Sequence, residues 1–333
     1  MSYDLYAELL VRDKEKIETK IREFRGGKAQ REEWMEENLP RFFREKLTPK
    51  NWYTLIKEVS LFEKYYEEYN DDRKEDIKAG YKKFIRDTDI FSVSNGGNLG
   101  EWTIFKEIKE PKTNVETLPD QSTLIKVTFT LKKPYISQDN EEFYIIDNPL
   151  SKEKVFKVPY VRASSWKGNL RWIMKDVIKV EGDIIRRIFG NERNESEDKN
   201  LRRGRLQFYP TFFNKIGLDV INPHDRKTKT GKNPILYEIV PEEASGTFSL
   251  LYVPFDLIGN EDELKKQVDE DLKLIAEAVK KLLTIYGFSA KKTAGFGVTN
   301  EIKENEINVW PEDKKSMFSI IYSKHNKNVK NSA

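Results

Sequence analysis

The sequence predicts an α+β protein in which a helical N-terminal domain precedes a ferredoxin-like core with insertions. Three observations carry this. Apolar residues recur at helical spacing from Tyr3 to about Asp87; from Ser122 onward alternating, β-rich segments take over; and those segments interleave with two helical patterns in a split β-α-β order.

Taken in order, YDLYAELLVRDKEKIETKIREF, REEWMEENLPRFFREKL, NWYTLIKEVSLFEKYYEEY and RKEDIKAGYKKFIRDT read as helices. Gly26-Gly27, Thr48-Pro49 and Asn70-Asp71 break them. Residues 1–93 therefore form a helical domain, with Trp34, Phe42, Phe43, Trp52, Tyr65 and Tyr66 as its core. A turn-rich linker covers 94–121, and the core runs over 122–310. STLIKVTFTLKKPYI alternates as a strand, and VFKVPYVR (155–162) is extended. Ser164 and Ser165 are N-cap candidates for a helix from about Trp166 to Lys179, with Leu170, Ile173, Met174 and Val177 on one face. Strands follow over 203–213, 235–240 and 246–255, then a long helix over 261–286, a glycine loop and a last core strand over 298–303. Residues 311–333 hold a C-terminal strand and a polar, disordered tail, KHNKNVKNSA.

Composition narrows the function. The 333 residues contain no Cys, which excludes disulfides, thiolate metal sites and a cysteine nucleophile and fits a reducing cytoplasm. No window reaches the roughly 18 to 20 apolar residues of a membrane span, and the charged start is unlike a signal peptide. The net charge of +3 is unevenly spread: residues 1–120 carry net −3, whereas 151–232 hold 20 basic against 10 acidic residues. Basic residues interleaved with Trp166, Trp172, Phe208 and Tyr209 suit single-stranded nucleic acid, since charge tracks phosphates and aromatic faces stack bases. At the predicted helix start, free N–H groups and the dipole favour an anion. Gly168 allows close backbone approach, and Lys167 and Arg171 add charge. An ordinary capped helix with solvated cations has the same local pattern.

PYVRASSWKGNLR (Pro159 to Arg171) resembles the signature of the RAMP superfamily, the RNA-binding subunits of CRISPR effector complexes. Four other segments match that family in order. DNPL (Asp147 to Leu150) is similar to the loop preceding the signature in the repeated backbone subunits of type III effectors. RIFGNE with RRGRLQFYPTFF is similar to the I-F-G segment and its G-R-L-x-F strand. INPHDRKTKTGKNPILYEIVPEEASGTFSLLYVPF and KKTAGFGVTNEI are similar to the D-R-x-T-G stretch and the C-terminal glycine-rich loop. The chain departs from the pattern at Arg162-Ala163, where Pro-Gly is usual, at Val298, where an arginine is usual, and at Tyr209-Pro210, where an acid is usual. It reads as a divergent member.

The resemblance implies an RRM-like fold, guide RNA and complementary target RNA as ligands, other CRISPR effector subunits as partners, and a role in antiviral defence without a membrane. It also implies that Asp147 is the residue required for target RNA cleavage, with a divalent cation such as Mg2+ possible beside it. Arg162, Ser164, Ser165, Lys167, Gly168, Arg171, Arg203, Arg205, His224, Arg226, Lys227, Lys229, Gly295 and Gly297 are the expected RNA contacts. Three functions from different classes stand open: an endoribonuclease using Asp147, an architectural or capping subunit in which Asp147 only shapes a turn, and, ranked last, an endonuclease of guide precursors. His325 lies in the tail, and Asp225 is better placed to pair with Arg226 or Lys227 than to catalyse.

Overall fold

The computed structural model describes residues 117–139, 148–154, 158–191, 201–221 and 235–322. The helical domain expected over 1–93, most of the linker, and the tail beyond 322 lie outside the described residues. In chain order the regular elements are β1 (Thr123–Thr130), β2 (Tyr160–Val161), α1 (Ala163–Trp172) and α2 (Gly182–Phe189), followed by β3 (Leu206–Phe208), β4 (Thr211–Phe212), β5 (Gly217–Ile221) and β6 (Ile235–Ile239). The last four are β7 (Ser245–Tyr252), α3 (Glu261–Lys281), β8 (Ile307–Trp310) and α4 (Ser319–Tyr322). Wide π-helical turns, Ile173–Ile178 and Leu282–Tyr286, continue α1 and α3.

The chain divides into two compact units, one holding 137–159 and 214–241 and the other holding 103–136, 160–213 and 242–333 among their residues. In the second unit four strands form an antiparallel sheet in the order β3-β7-β1-β8. The chain visits them as β1, α1, β3, β7, α3, β8, so each long helix is a crossover between two strands. The alternation of β1 explains its placement. Ile125, Val127 and Phe129 are fully buried, and the register sets Ile125 beside Leu250 and Val309, and Val127 beside Phe248 and Ile307. Trp166 of α1 packs onto this face, its ring 4.9 Å from Phe248 and 4.5 Å from Phe288. Val268, Leu272, Ile275 and Val279 of α3 recur at helical spacing and are all buried. Opposite Phe129 the sheet carries Gly246, where a Cβ would stand 2.8 Å from the Thr211 methyl and 3.1 Å from the Phe129 ring, so a side chain there displaces the aromatic core.

The other face is mixed. Leu124, Leu251 and Val253 cluster with Leu118, Tyr209 and Trp310 at one end, while Lys126, Ser249 and Asn308 share the next row.

Four expectations need correction. The helix of the signature begins at Ala163, because the N–H groups of Ser165 and Trp166 already bond to the Arg162 carbonyl; Arg162 is the cap residue and gives no side-chain cap bond. The strand expected over 203–213 is two short strands in different sheets, β4 leaving to pair with β2. The last strand of the core is β8, not 298–303, of which only Thr299 makes an isolated bridge, to Leu131. After β8 the chain turns helical, over Glu312–Phe318 and α4, where a C-terminal strand was expected.

In the first unit β5 and β6 form an antiparallel hairpin. Asn148 bridges Tyr237 in parallel, and its carbonyl accepts from Glu238 N–H at 3.1 Å. The Glu238 carboxylate accepts from Leu150 N–H at 3.0 Å and from the Lys152 ammonium, in an ion pair whose two side chains are each 2% exposed. A charge pair so buried holds only because both members find partners.

Candidate nucleic-acid interface

The first two turns of α1 present one exposed polar strip. Arg162, Ser164, Ser165, Lys167 and Gly168 are exposed, whereas Trp166 and Leu170 point inward and are fully buried. The serine hydroxyls, displaced from the cap by the earlier start, stand in the first turn, where the Ser165 N–H already donates to the Arg162 carbonyl at 2.9 Å. At Gly168 a Cβ would meet nothing within 4 Å, so the glycine leaves the backbone open to whatever lies outside. Partial burial and the nearby Arg171 guanidinium push the Lys167 ammonium below its usual pKa. The Arg171 guanidinium lies over the Phe189 ring at 5.9 Å and that of Arg162 over Tyr160 at 5.8 Å, so both cations face aromatic rings.

The glycine loop closes onto the same helix. The Lys292 ammonium bonds to the Asn169 side-chain oxygen and lies 4.7 Å from the centre of the Trp172 ring, while Asn169 Nδ2 donates to Ser165 O at 2.9 Å. Burial lowers the Lys292 pKa. Gly295 and Gly297 have φ of +79° and +73° but differ in role. A Cβ on Gly295 meets open space, whereas one on Gly297 would stand 2.6 Å from Ser289 Cβ. The close approach expected at Gly297 is therefore to the protein's own backbone, reinforced by Gly297 N–H donating to Pro134 O at 2.8 Å. Lys292 was missed in the sequence; its sole signal was a second lysine ahead of the glycines.

Arg205 corrects the expectation most sharply. It is 1% exposed, with Nε and Nη2 donating to Asp256 at 2.7 and 2.8 Å, Nη2 to Gln267 at 2.8 Å, and Nη1 to Asp271 at 2.9 Å. Burial opposes its charge, but Asp256, Tyr252 and Asp271 outweigh that and raise its pKa. Asp271, fully buried, also accepts from Tyr252 Oη at 2.7 Å and from Arg187 Nε at 2.8 Å. Burial and Asp271 push the Tyr252 hydroxyl up, and for Asp256 the bonds from Arg205 and Arg202 overcome burial and bring the carboxyl down to about 2. The cluster ties the start of β3 to β7, α2 and α3. Its neighbour Arg203 is exposed and lies over the exposed Phe255 ring at 5.1 Å. Trp166 is likewise no stacking platform, its indole N–H donating to Thr211 Oγ1 at 3.0 Å inside the core.

Two further motifs meet at backbone level. A Cβ on Gly190 would stand 2.8 Å from Gly204 N, and one on Gly204 2.3 Å from the Phe189 carbonyl carbon, so the I-F-G and G-R-L segments cross with no room for a side chain. A family model for the RAMP superfamily matches residues 94–300. The chain belongs to the RAMP superfamily. This RAMP protein is 30% identical over 165 residues to the Streptococcus thermophilus "CRISPR system Cms endoribonuclease Csm3", an alignment covering 46% of the chain and 73% of that relative. A chain in a cryo-EM structure of the type III-B Cmr-beta complex bound to cognate target RNA shares its fold, with TM-score 0.52 and 17% identity over 83% of this chain and 98% of that one. A chain of a CRISPR RNA-guided surveillance complex aligns at TM-score 0.39 with 17% identity, covering 54% of this chain and 65% of its own. The type III affinity read from the motifs is upheld.

The remaining site expectations for this RAMP protein, Asp147 in the D-N-P-L loop and His224, Arg226, Lys227 and Lys229 in the basic loop, lie outside the described residues. Among the described residues no group of three or more His, Asp or Glu is placed to hold a metal ion, and no helix is long and apolar enough to cross a membrane.

Proposed function

We propose that this chain binds guide RNA in a type III CRISPR effector complex and cuts the paired target RNA with Asp147. The observation that carries the binding half is the exposed strip of α1, with Arg162, Ser164, Ser165, Lys167 and Gly168 side by side and the glycine loop tied to the helix through Lys292. Helix-start N–H groups, hydroxyls and ammonium groups read phosphates and sugar, so binding follows the RNA backbone with little sequence preference. The ferredoxin-like reading of the core rests on the strand order β3-β7-β1-β8 with α1 and α3 as crossovers. The 30% identity to a protein named as an endoribonuclease supports the catalytic half.

The chemistry balances with one carboxylate and water. The Asp147 carboxylate takes the proton of a target 2′-hydroxyl, O2′ attacks the adjacent phosphorus in line, the P–O5′ bond breaks, and the leaving O5′ takes a proton from water. The products are a 2′,3′-cyclic phosphate and a 5′-hydroxyl. The divalent cation expected beside Asp147 would stabilise phosphoryl charge there. Doubly substituting Lys167→Ala and Arg171→Ala should weaken guide RNA binding at least tenfold at moderate salt and flatten its salt dependence by about two phosphate contacts. Unchanged binding would remove α1 from the interface.

A further inference from the structure

A cavity of about 430 Å³ opens at the C-terminal end of α3, within the unit that holds the four-stranded sheet. Four stretches of chain build it. The helix supplies Lys280 and its π-helical continuation supplies Thr284 and Ile285, one turn further on; wide turns of this kind are frequent at functional sites. The strap after the glycine loop adds Thr299 to Ile302, and α4 adds Ile321 and Tyr322. Lys132 joins from just past β1, its own N–H donating to Val298 O at 2.8 Å. Among the described residues, none of the lining comes from α1.

The walls offer three kinds of group. The first is cationic: Lys132 is exposed and Lys280 is buried. Burial holds the Lys280 pKa below its usual value, and an anion seated beside it would offset that cost. The second kind accepts hydrogen bonds. Thr284 Oγ1 donates its proton to Lys280 O at 2.8 Å and Thr299 Oγ1 to Leu283 O at 3.2 Å, so what each hydroxyl keeps for a ligand is lone pairs. Glu301 adds a carboxylate, which when ionised can only accept. The third kind is apolar, from Ile285, Ile302, Ile321 and the Tyr322 ring.

Together these groups select among ligand classes. An inorganic anion leaves the isoleucines and the tyrosine uncovered, and a fatty carboxylate brings no donor for the threonines or Glu301. A nucleoside monophosphate answers all three, with a phosphate for the lysines, ribose hydroxyls and ring N–H groups for the acceptors, and a flat base for the apolar wall. The volume also falls in the range of small-molecule sites, roughly 300 to 1,000 Å³. We propose that this cavity binds a free nucleoside 5′-monophosphate, its phosphate at Lys132 and Lys280 and its base against Tyr322 and the isoleucines. This inference is independent of RNA binding.

The test is isothermal titration calorimetry of the full chain with AMP up to about 5 mM, a range that reaches millimolar affinity. AMP should bind at a single site, while adenosine and inorganic phosphate, each lacking part of the ligand, should bind at least about tenfold more weakly. Lys132→Glu sets an acid at the phosphate end and should weaken AMP binding at least about tenfold. That site is exposed, so the fold should survive, as melting curves verify; Lys280→Met, which keeps the stem and removes the charge, is the second variant and should lose as much. Two controls separate the cavity from the RNA interface: the Lys167→Ala, Arg171→Ala variant, and the parent saturated with guide RNA, should both bind AMP as the free parent does. Absence of AMP binding over the range, inorganic phosphate binding as tightly as AMP, full AMP binding by either folded lysine variant, or loss of AMP binding in either control would each overturn the proposal.

Discussion

Replacing Arg205 by Met tests whether this arginine belongs to the core or to the RNA. The substitution keeps the aliphatic stem and removes five hydrogen bonds, to Asp256 twice and to Gln267, Tyr252 and Asp271. The cost is set by what is left behind. Asp271 remains fully buried and charged, although Arg187 and Tyr252 still bond it. Breaking a buried pair costs about 3 to 5 kcal/mol, and the two surviving partners put this case at about 3. With a urea slope of about 3 kcal/mol/M, the midpoint should fall by about 1 M. Acid should discriminate further. The Asp256 carboxyl is held at about 2, below its unfolded value, so its contribution is present above about pH 4 and is lost as pH falls toward 2. The variant should show less of this acid sensitivity, since Arg205 is the leading cause of the depression. RNA affinity, measured where the variant is folded, should match the parent. A stability loss under about 1 kcal/mol, or a tenfold loss of RNA binding with stability intact, refutes the placement of Arg205.

Other outcomes follow from the same geometry. Asp147→Ala in the assembled complex should leave guide and target binding intact while abolishing cleavage, and a deoxyribose at the scissile position should block the parent; cutting at the parental rate by the variant sinks the catalytic proposal. Gly297→Ala should destabilise by well over 1 kcal/mol in thermal melts, because its Cβ would press on Ser289, while Gly295→Ala should cost about 1 kcal/mol of backbone strain alone. Gly168→Ala should stabilise by up to about 1 kcal/mol, since the position is helical and open, and should weaken RNA binding in filter assays if a phosphate approaches that backbone.

Much of the core was legible because burial writes itself as period. TLIKVTFT alternates and lies in the sheet as it reads, and the apolar spacing of α3 located its buried face. What failed to read were residues whose role depends on distant partners. Arg205 sits in a basic run and looked like a surface cation; its acids, Asp256 and Asp271, lie 51 and 66 positions away. Trp166 stands among lysines and serines, and only the fold shows that Thr211 takes its N–H. The helix start moved by a turn because Arg162 has an extended ψ of 144° and offers its carbonyl, a backbone feature that serines two and three places later mask. INVW, too short to stand out, displaced 298–303 as the final strand because its register against β1 buries Ile307 and Val309.

The buried pair of Lys152 and Glu238 has an evolutionary corollary. Loss of either member strands a charge with almost no water to reach it, so descendants of this chain can exchange the two for an apolar pair together but cannot easily pass through one change at a time. Asp147 stands one position before the segment that this pair pins. On the catalytic role proposed for Asp147, a lineage that lost cutting could change the aspartate while keeping Lys152 and Glu238, so across relatives the ion pair would mark inheritance of the architecture and the aspartate retention of cutting.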